Sequence, residues 1–284
     1  MKSNISERSK TVAVVVPVYR EHLTADEKIS YRHLNNFLGD YDKYLVAPET
    51  LKIAYSEFRI KRFSKDFFRN TVSYSALLLS RDFYQAFADY EFVLIYQLDA
   101  LVFSDQLAEW CESAWDYIGA PWLNCEDADF VDVPTVGNGG FSLRRVPSFL
   151  KVIDSPGYDL ELVRYQKALH AAEPLYLQDG PVKLSLPRRL IQRFGLSNQT
   201  QADILEQTLK NKAEAFGINE DYFWSFKAKK YYSDFKIAPV SEALRFSFEV
   251  QPRRCYELNN FQLPFGCHAW NRYDRKFWEP FLLK

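Results

Sequence analysis

Four stretches of this 284-residue chain concentrate side chains able to do chemistry. Asp99 lies two residues past the end of the apolar run Glu91-Phe-Val-Leu-Ile-Tyr-Gln97. In an open parallel sheet, ligands collect outside the carboxyl ends of the strands. A carboxylate projecting there suits a hard divalent cation bound to a diphosphate, although an Asp at that position also suits a turn cap. The second stretch, Val136-Gly-Asn-Gly-Gly-Phe-Ser-Leu-Arg144, has three glycines in four positions. Glycine lets backbone come close to a ligand, but neither GxxxxGK[ST] nor GxGxxG is present, so the phosphate-loop motifs fail. Asn138 offers an amide donor and acceptor that match sugar hydroxyls; a tight Asn-Gly turn is the alternative.

In the third stretch, Gly217-Ile-Asn-Glu-Asp-Tyr-Phe-Trp224, Asn219 is placed to cap a helix with Glu220 and Asp221 in its first turn. The helix dipole alone favours carboxylates there. Successive helical side chains point about 100° apart, so the pair cannot face each other across a glycosidic bond as the acids of a hydrolase must. One of them suits removal of a proton from a hydroxyl. The fourth stretch is Leu263-Pro-Phe-Gly-Cys-His-Ala-Trp270, whose His268 is one of four histidines. A lone histidine is more often structural than catalytic.

These residues need a frame. Thr11–Tyr19 is a continuous β-branched run, the pattern of a strand covered on both faces. Thr24 and Glu27 have capping-box spacing before Ile29, Leu34, Phe37 and Leu38. Asp42–Pro48 reads as a second strand, 70–88 as one helix carrying Val72, Leu77, Leu78 and Phe83, and 91–97 as a further strand. Arg245–Val250 alternates and reads as a half-exposed strand. Strands alternating with helices imply an α/β fold with parallel pairing. The expected organisation is a frayed leader over 1–10, then one domain over 11–284. Its nucleotide-binding half spans 11–122 and its acceptor-side half 123–284, with a helical insertion over 156–216.

Composition narrows the function classes. Apolar residues form 47% of the chain and aromatics 17%, enough for a sizeable core and for stacking on bases or sugar rings. A net charge of −1 gives no electrostatic case for nucleic acid or for an anionic membrane. The four cysteines, Cys111, Cys125, Cys255 and Cys267, form no CxxC pair and fit reduced thiols in the cytoplasm. The longest N-terminal apolar run, Val12–Val18, is too short to span a bilayer. Segment 182–196 mixes basic and apolar residues; it suits an ordinary connecting helix or peripheral contact with the inner face of a membrane, and the first is expected.

Taken in order, Gln97-Leu98-Asp99, Gly137-Asn-Gly-Gly-Phe-Ser142, Glu220-Asp221 and Pro264-Phe-Gly-Cys-His-Ala-Trp270 resemble glycosyltransferases of the GT-A fold, in particular a little-characterised bacterial family of such enzymes. The resemblance implies a Rossmann-like GT-A fold with a mixed, mainly parallel sheet flanked by helices. It implies transfer of a sugar from a nucleotide-diphosphate donor, expected to be UDP-linked, to a hydroxyl of a glycan or glycoconjugate by inverting displacement. Asp99 and His268 would hold a divalent metal, Mn²⁺ or Mg²⁺. Asp221 would be the base, with Glu220 as its substitute or an acceptor contact. Gln97 and Leu98 would lie against the donor, Asn138, Gly139 and Gly140 would line its sugar, Pro17, Val18 and Tyr19 its base, and Arg69 would reach a phosphate. Gln97 stands where many of these enzymes have the first acid of an Asp-x-Asp element. The competing readings are a non-catalytic glycan-binding module and a sugar nucleotidyltransferase. Against the latter, no glycine follows the first strand in Pro17-Val-Tyr-Arg-Glu-His22.

Overall fold

The computed structural model describes residues 10–53, 56–124, 126–128, 131–159 and 219–283. Cys125, segment 182–196 and the insertion from residue 160 onward lie outside the described residues. Among those described, no helix is long and apolar enough to cross a membrane, and Cys111, Cys255 and Cys267 are buried free thiols.

Strand β1 (Lys10–Pro17) sits inside a six-stranded sheet. It is followed by helix α1 (Ala25–Leu38), strands β2 (Asp42–Pro48) and β3 (Arg59–Phe63), helices α2 (Thr71–Leu78) and α3 (Arg81–Gln85), and β4 (Tyr90–Tyr96). From β1 the chain steps outward through β2 to β3, then returns to lay β4 on the other side of β1, all four strands being parallel. The sheet is completed by β9 and β6, which lie beyond β4. In chain order these come after β5 (Leu101–Val102) and helix α4 (Leu107–Cys111): β6 (Tyr117–Ile118), β7 (Pro121–Trp122), β8 (Thr135–Val136) and β9 (Phe141–Arg145). β9 runs antiparallel to both β4 and β6. The α/β architecture with a mixed, mainly parallel sheet is the one expected.

The β-branched run of β1 explains its central place. Val12, Val14 and Val16 pack with Leu34 and Leu38 of α1 on one face. Ala13 and Val15 face the opposite core, with Leu77, Leu78, Phe83, Tyr84 and, from α5 (Val146–Ile153), Phe149. Alternate side chains of a strand point to opposite faces, so a strand apolar throughout must be covered twice.

The capping box is formed: Thr24 Oγ1 accepts from the Glu27 amide at 3.2 Å, and Glu27 Oε2 accepts from the Thr24 amide at 2.7 Å. The single helix expected over 70–88 is instead broken in two. Ser80 Oγ donates to the Leu77 carbonyl at 2.7 Å and accepts from the Phe83 amide at 3.2 Å, ending α2 and capping α3. β3 carried no apolar signal because Arg59-Ile-Lys-Arg-Phe63 is an edge strand, and charge on an edge discourages pairing with other chains.

The half-exposed strand expected over 245–250 is also corrected. After α6 (Glu220–Phe226) and α7 (Ala228–Tyr231), helix α8 (Val240–Phe246) takes in Arg245 and Phe246. Only Ser247–Phe248 is strand (β10), with Phe246, Ser247 and Phe248 all buried in succession. β10 pairs in parallel with β11 (Gly266–Cys267), and β11 pairs antiparallel with β5. A separate core of Leu101, Phe248, Cys267, Trp270 and Trp278 supports this small sheet.

Thr24→Ala should cost about 1 kcal/mol of unfolding free energy. Urea denaturation reads the loss.

Candidate active site

The strand order reverses between β1 and β4, and crevices outside the carboxyl ends of strands at such a switch point are the usual ligand sites of open α/β sheets. A cavity of about 720 Å³ opens there, within the range of ligand pockets. Its wall includes Pro17 and Tyr19 from the end of β1, Gln97, Leu98 and Asp99 from the end of β4, and Arg69 before α2. Six of the residues singled out from sequence therefore meet in one place. Tyr19 is 61% exposed, with the Arg20 guanidinium 5.2 Å from its ring centre. Arg69 is held at 2.5 Å by Asp66 in an exposed pair. Val18 is not on this wall: it is buried in the core, and its amide donates to the Val46 carbonyl.

His268 reaches Asp99 through the small sheet. β11 pairs with β5, which begins two residues after Asp99, and the Trp270 amide donates to the Asp99 carbonyl at 3.1 Å. The result is His268 Nε2 at 3.2 Å from Asp99 Oδ1 and 3.1 Å from Gln97 Oε1. The Tyr74 hydroxyl bonds the Gln97 side chain. On the other edge of the ring, Nδ1 lies 2.8 Å from Glu249 Oε1 and 3.2 Å from Asn138 Nδ2.

Burial disfavours a charged imidazole, but Asp99 and Glu249 outweigh it and raise the His268 pKa to about 10. Burial likewise opposes ionisation of Asp99, yet the facing His268 brings its pKa below the usual carboxylate value. Asp99 Oδ1 is nevertheless a buried oxygen without a well-formed hydrogen bond.

The glycine loop serves close packing. A Cβ on Gly140 would lie 2.0 Å from His268 Nε2, and one on Gly139 would lie 1.9 Å from Glu220 Oε1. Asn138 was expected to meet sugar hydroxyls; instead it is buried, with φ +70°, and its Oδ1 accepts from the Gly140 and Phe141 amides. It braces the loop that admits the imidazole. Gly139 and Gly140 are likewise placed against Glu220 and His268 rather than on the wall of the cavity.

Glu220, expected as a substitute base or an acceptor contact, is held in a buried ion pair. Arg144 donates to both its oxygens, at 3.0 and 2.8 Å, and both side chains are almost wholly buried. Arg144 further bonds Tyr84, Ser142 and the Gly139 carbonyl. Asn219 does precede the helix but makes no side-chain cap. Asp221 is only partly buried and, among the described residues, has no such pairing; its Oδ1 accepts from the Tyr222 amide. Burial first, then the charges of Glu220 and Glu249, raise its pKa to about 7. Neighbours thus run from Asp99 to His268 to Glu249, whose charge reaches Asp221.

Sequence reading missed Glu249, Tyr74 and Arg144. Glu249 follows Phe248, whose carbonyl accepts from the His268 amide, so its importance depends on a pairing with no local signal.

Among the described residues, no group of three or more His, Cys, Asp or Glu side chains is arranged to hold a metal. Asp99 and His268 still fit a cation that also takes oxygens from a diphosphate and water. Their 3.2 Å separation is close to the roughly 3.0 Å between adjacent ligands about 2.1 Å from one small ion. The orphaned Asp99 oxygen, and a carboxylate on the far nitrogen of the ring, are features of such sites.

Arg144→Met should destabilise the chain by about 3–5 kcal/mol, because it leaves Glu220 buried and unpaired. Adding Glu220→Gln should recover much of that loss, which urea unfolding of the single and double variants measures.

Comparison with solved structures finds distant likenesses. The galactosyltransferase LgtC, in complex with donor and acceptor sugar analogs, is 13% identical over 49% of this chain and 59% of its own, with a TM-score of 0.37. Apo GlyE, a glycosyltransferase of Streptococcus pneumoniae TIGR4, is 12% identical over 96% of this chain and 60% of its own, with a TM-score of 0.39. The catalytic domain of Drosophila β1,4-galactosyltransferase 7 with xylobiose is 14% identical over 56% and 61%, with a TM-score of 0.27. The chain spans about three fifths of the length of each of these structures, and the likenesses are too distant to transfer an activity. No curated protein matches the chain in sequence. The family model described as "Protein of unknown function (DUF5672)" matches residues 57–268, from just before β3 to the imidazole beside Asp99, and the chain belongs to that family.

Proposed function

We propose that the chain is a glycosyltransferase, a single domain over 11–284, that moves a sugar from a nucleoside-diphosphate donor to an acceptor hydroxyl. The observation that carries this reading is the Asp99–His268 pair, 3.2 Å apart beside a cavity of about 720 Å³ at the switch point of the sheet. Its support from sequence is the ordered resemblance of four motifs to GT-A enzymes, which lie against one another in the fold: Asp99 and Asn138 each meet His268, and Glu220 packs against Gly139.

Asp99 and His268 would hold a divalent cation, Mn²⁺ or Mg²⁺, which when bound offsets the charge on the departing diphosphate. Gln97, tied to Tyr74, keeps its amide oxygen toward that point. Tyr19 offers a ring on which a base, uracil in our reading, stacks. Arg69 leaves an exposed, weakly held pair to meet a phosphate. Asp221 takes the acceptor proton as the hydroxyl attacks, and a carboxyl with pKa about 7 is well matched to that task. A base acting directly on the acceptor gives one displacement with inversion. The acceptor is a glycan or glycoconjugate.

A second reading rests on the raised pKa of His268. An imidazolium held between Asp99 and Glu249 would itself supply positive charge, with no cation. The dependence of turnover on Mn²⁺ separates the two.

Asp99→Asn should abolish Mn²⁺-dependent release of nucleoside diphosphate from a panel of donors; undiminished turnover would remove Asp99 from the site. Asp221→Asn should lower turnover by about 10²–10⁴-fold while donor binding, read by calorimetry, persists. Turnover of the wild type should rise with pH through about 7 as Asp221 loses its proton.

The same group makes a stability prediction. Its folded pKa lies above its unfolded value, so the native state holds the extra proton and stability falls as pH rises from about 4 to about 7. Relative to wild type, Asp221→Asn should therefore gain nothing below pH 4 and most above pH 7, in melting temperatures taken across that range.

A further inference from the structure

The ring of His268 could present either nitrogen to the Asp99 side, and something must choose. Four polar atoms surround it: Gln97 Oε1 and Asp99 Oδ1 at Nε2, Glu249 Oε1 and Asn138 Nδ2 at Nδ1. Asn138 cannot make the choice, because its Oδ1 is committed to the Gly140 and Phe141 amides and its remaining amide group only donates. A donor facing Nδ1 at 3.2 Å competes with Glu249 for that nitrogen. Glu249 lies closer, at 2.8 Å, and only accepts, so Nδ1 keeps its hydrogen and donates it to Glu249; Asp99, the acceptor on the Nε2 side at 3.2 Å, is the oxygen that would share a cation with that nitrogen in place of a proton. Gly140 closes off one side of the ring, packing against it closely enough that a single added carbon would overlap Nε2.

Glu249 is itself well placed to hold still. It is only 14% exposed, and it directly follows β10, whose Phe248 carbonyl accepts from the His268 amide. Backbone and side chain of His268 are thus anchored to two consecutive residues, the last of β10 and the one after it.

We infer that Glu249 is a positioning residue: by accepting from Nδ1 it turns the Nε2 lone pair of His268 toward the point shared with Asp99, where a divalent cation would bind. The inference rests on the cation reading of the site given above. It assigns to Glu249 the reach of its oxygen rather than its charge, and two conservative variants separate these. Glu249→Gln keeps an acceptor at the same reach and loses the charge. Glu249→Asp keeps the charge and withdraws the oxygen by one methylene.

The test titrates Mn²⁺ alone into the intact wild type and both variants, reading unbound Mn²⁺ from its electron paramagnetic resonance signal. Cation-free melting temperatures establish that each variant is folded. Glu249→Asp should bind Mn²⁺ about 10–100-fold more weakly, the usual cost of losing a carboxylate behind a ligating histidine, and Glu249→Gln should stay closer to wild type than Glu249→Asp does. The opposite order would show that Glu249 acts by charge, and unchanged affinity in both would show that it does not act on the cation; either overturns the inference and leaves the cation reading standing. A wild type that binds no Mn²⁺ overturns both together.

Discussion

The site depends on one short pairing. Gly266 and Cys267 lie antiparallel to Val102 and Leu101, and through them the tail of the chain is brought back to the end of β4. Two residues are a small amount of ladder, and the pairing is held mainly by what surrounds it. Leu101, Cys267, Phe248, Trp270 and Trp278 form a buried cluster, and the Trp270 indole donates to Ser30 of α1 at 3.1 Å. Burial of large aromatic side chains contributes on the order of 2–3 kcal/mol each. Apolar packing behind the cavity wall therefore sets the 3.2 Å between Asp99 and His268.

Around that pair the polar groups divide into two systems. Arg144, Glu220, Tyr84 and Ser142 form a closed, buried network under the glycine loop. A buried ion pair with every partner satisfied is costly to break and chemically silent. Asp99, His268, Glu249 and Asp221 are the contrasting set: less deeply buried, shifted in proton affinity, or left with an unsatisfied oxygen. Glu220 and Asp221 are adjacent in sequence and belong to different systems, because one side chain turns toward Arg144 and the other does not.

What could be read from sequence follows the range of the interactions. The β-branched run of β1, the capping box at Thr24 and the strands at 42–48 and 90–96 are local patterns, and each is present where it was expected, to within a residue or two. The break at Ser80 was missed because a serine reads as neutral within an apolar periodic stretch, until its hydroxyl is seen to end one helix and start the next. The alternation of 245–250 misled because period two was satisfied by residues that finish a helix. In the site, Asp99 and its cavity neighbours Pro17, Tyr19, Arg69, Gln97 and Leu98 were accessible through strand-end logic and motif order. Asn138, Gly139, Gly140 and Glu220 were noticed for the right reason, unusual local chemistry, but their partners are each other, Arg144 and His268. Glu249 had no signal at all, since only the β10–β11 pairing gives it a histidine to touch.

Whether Asp99 and His268 share a cation is tested most directly by anomalous diffraction from crystals soaked in Mn²⁺ and a nucleoside diphosphate. One strong anomalous peak is expected within coordination distance of both Asp99 Oδ1 and His268 Nε2, with the diphosphate bound beside it in the β1–β4 cavity. A diphosphate bound in that cavity with no anomalous peak between the two side chains would contradict it.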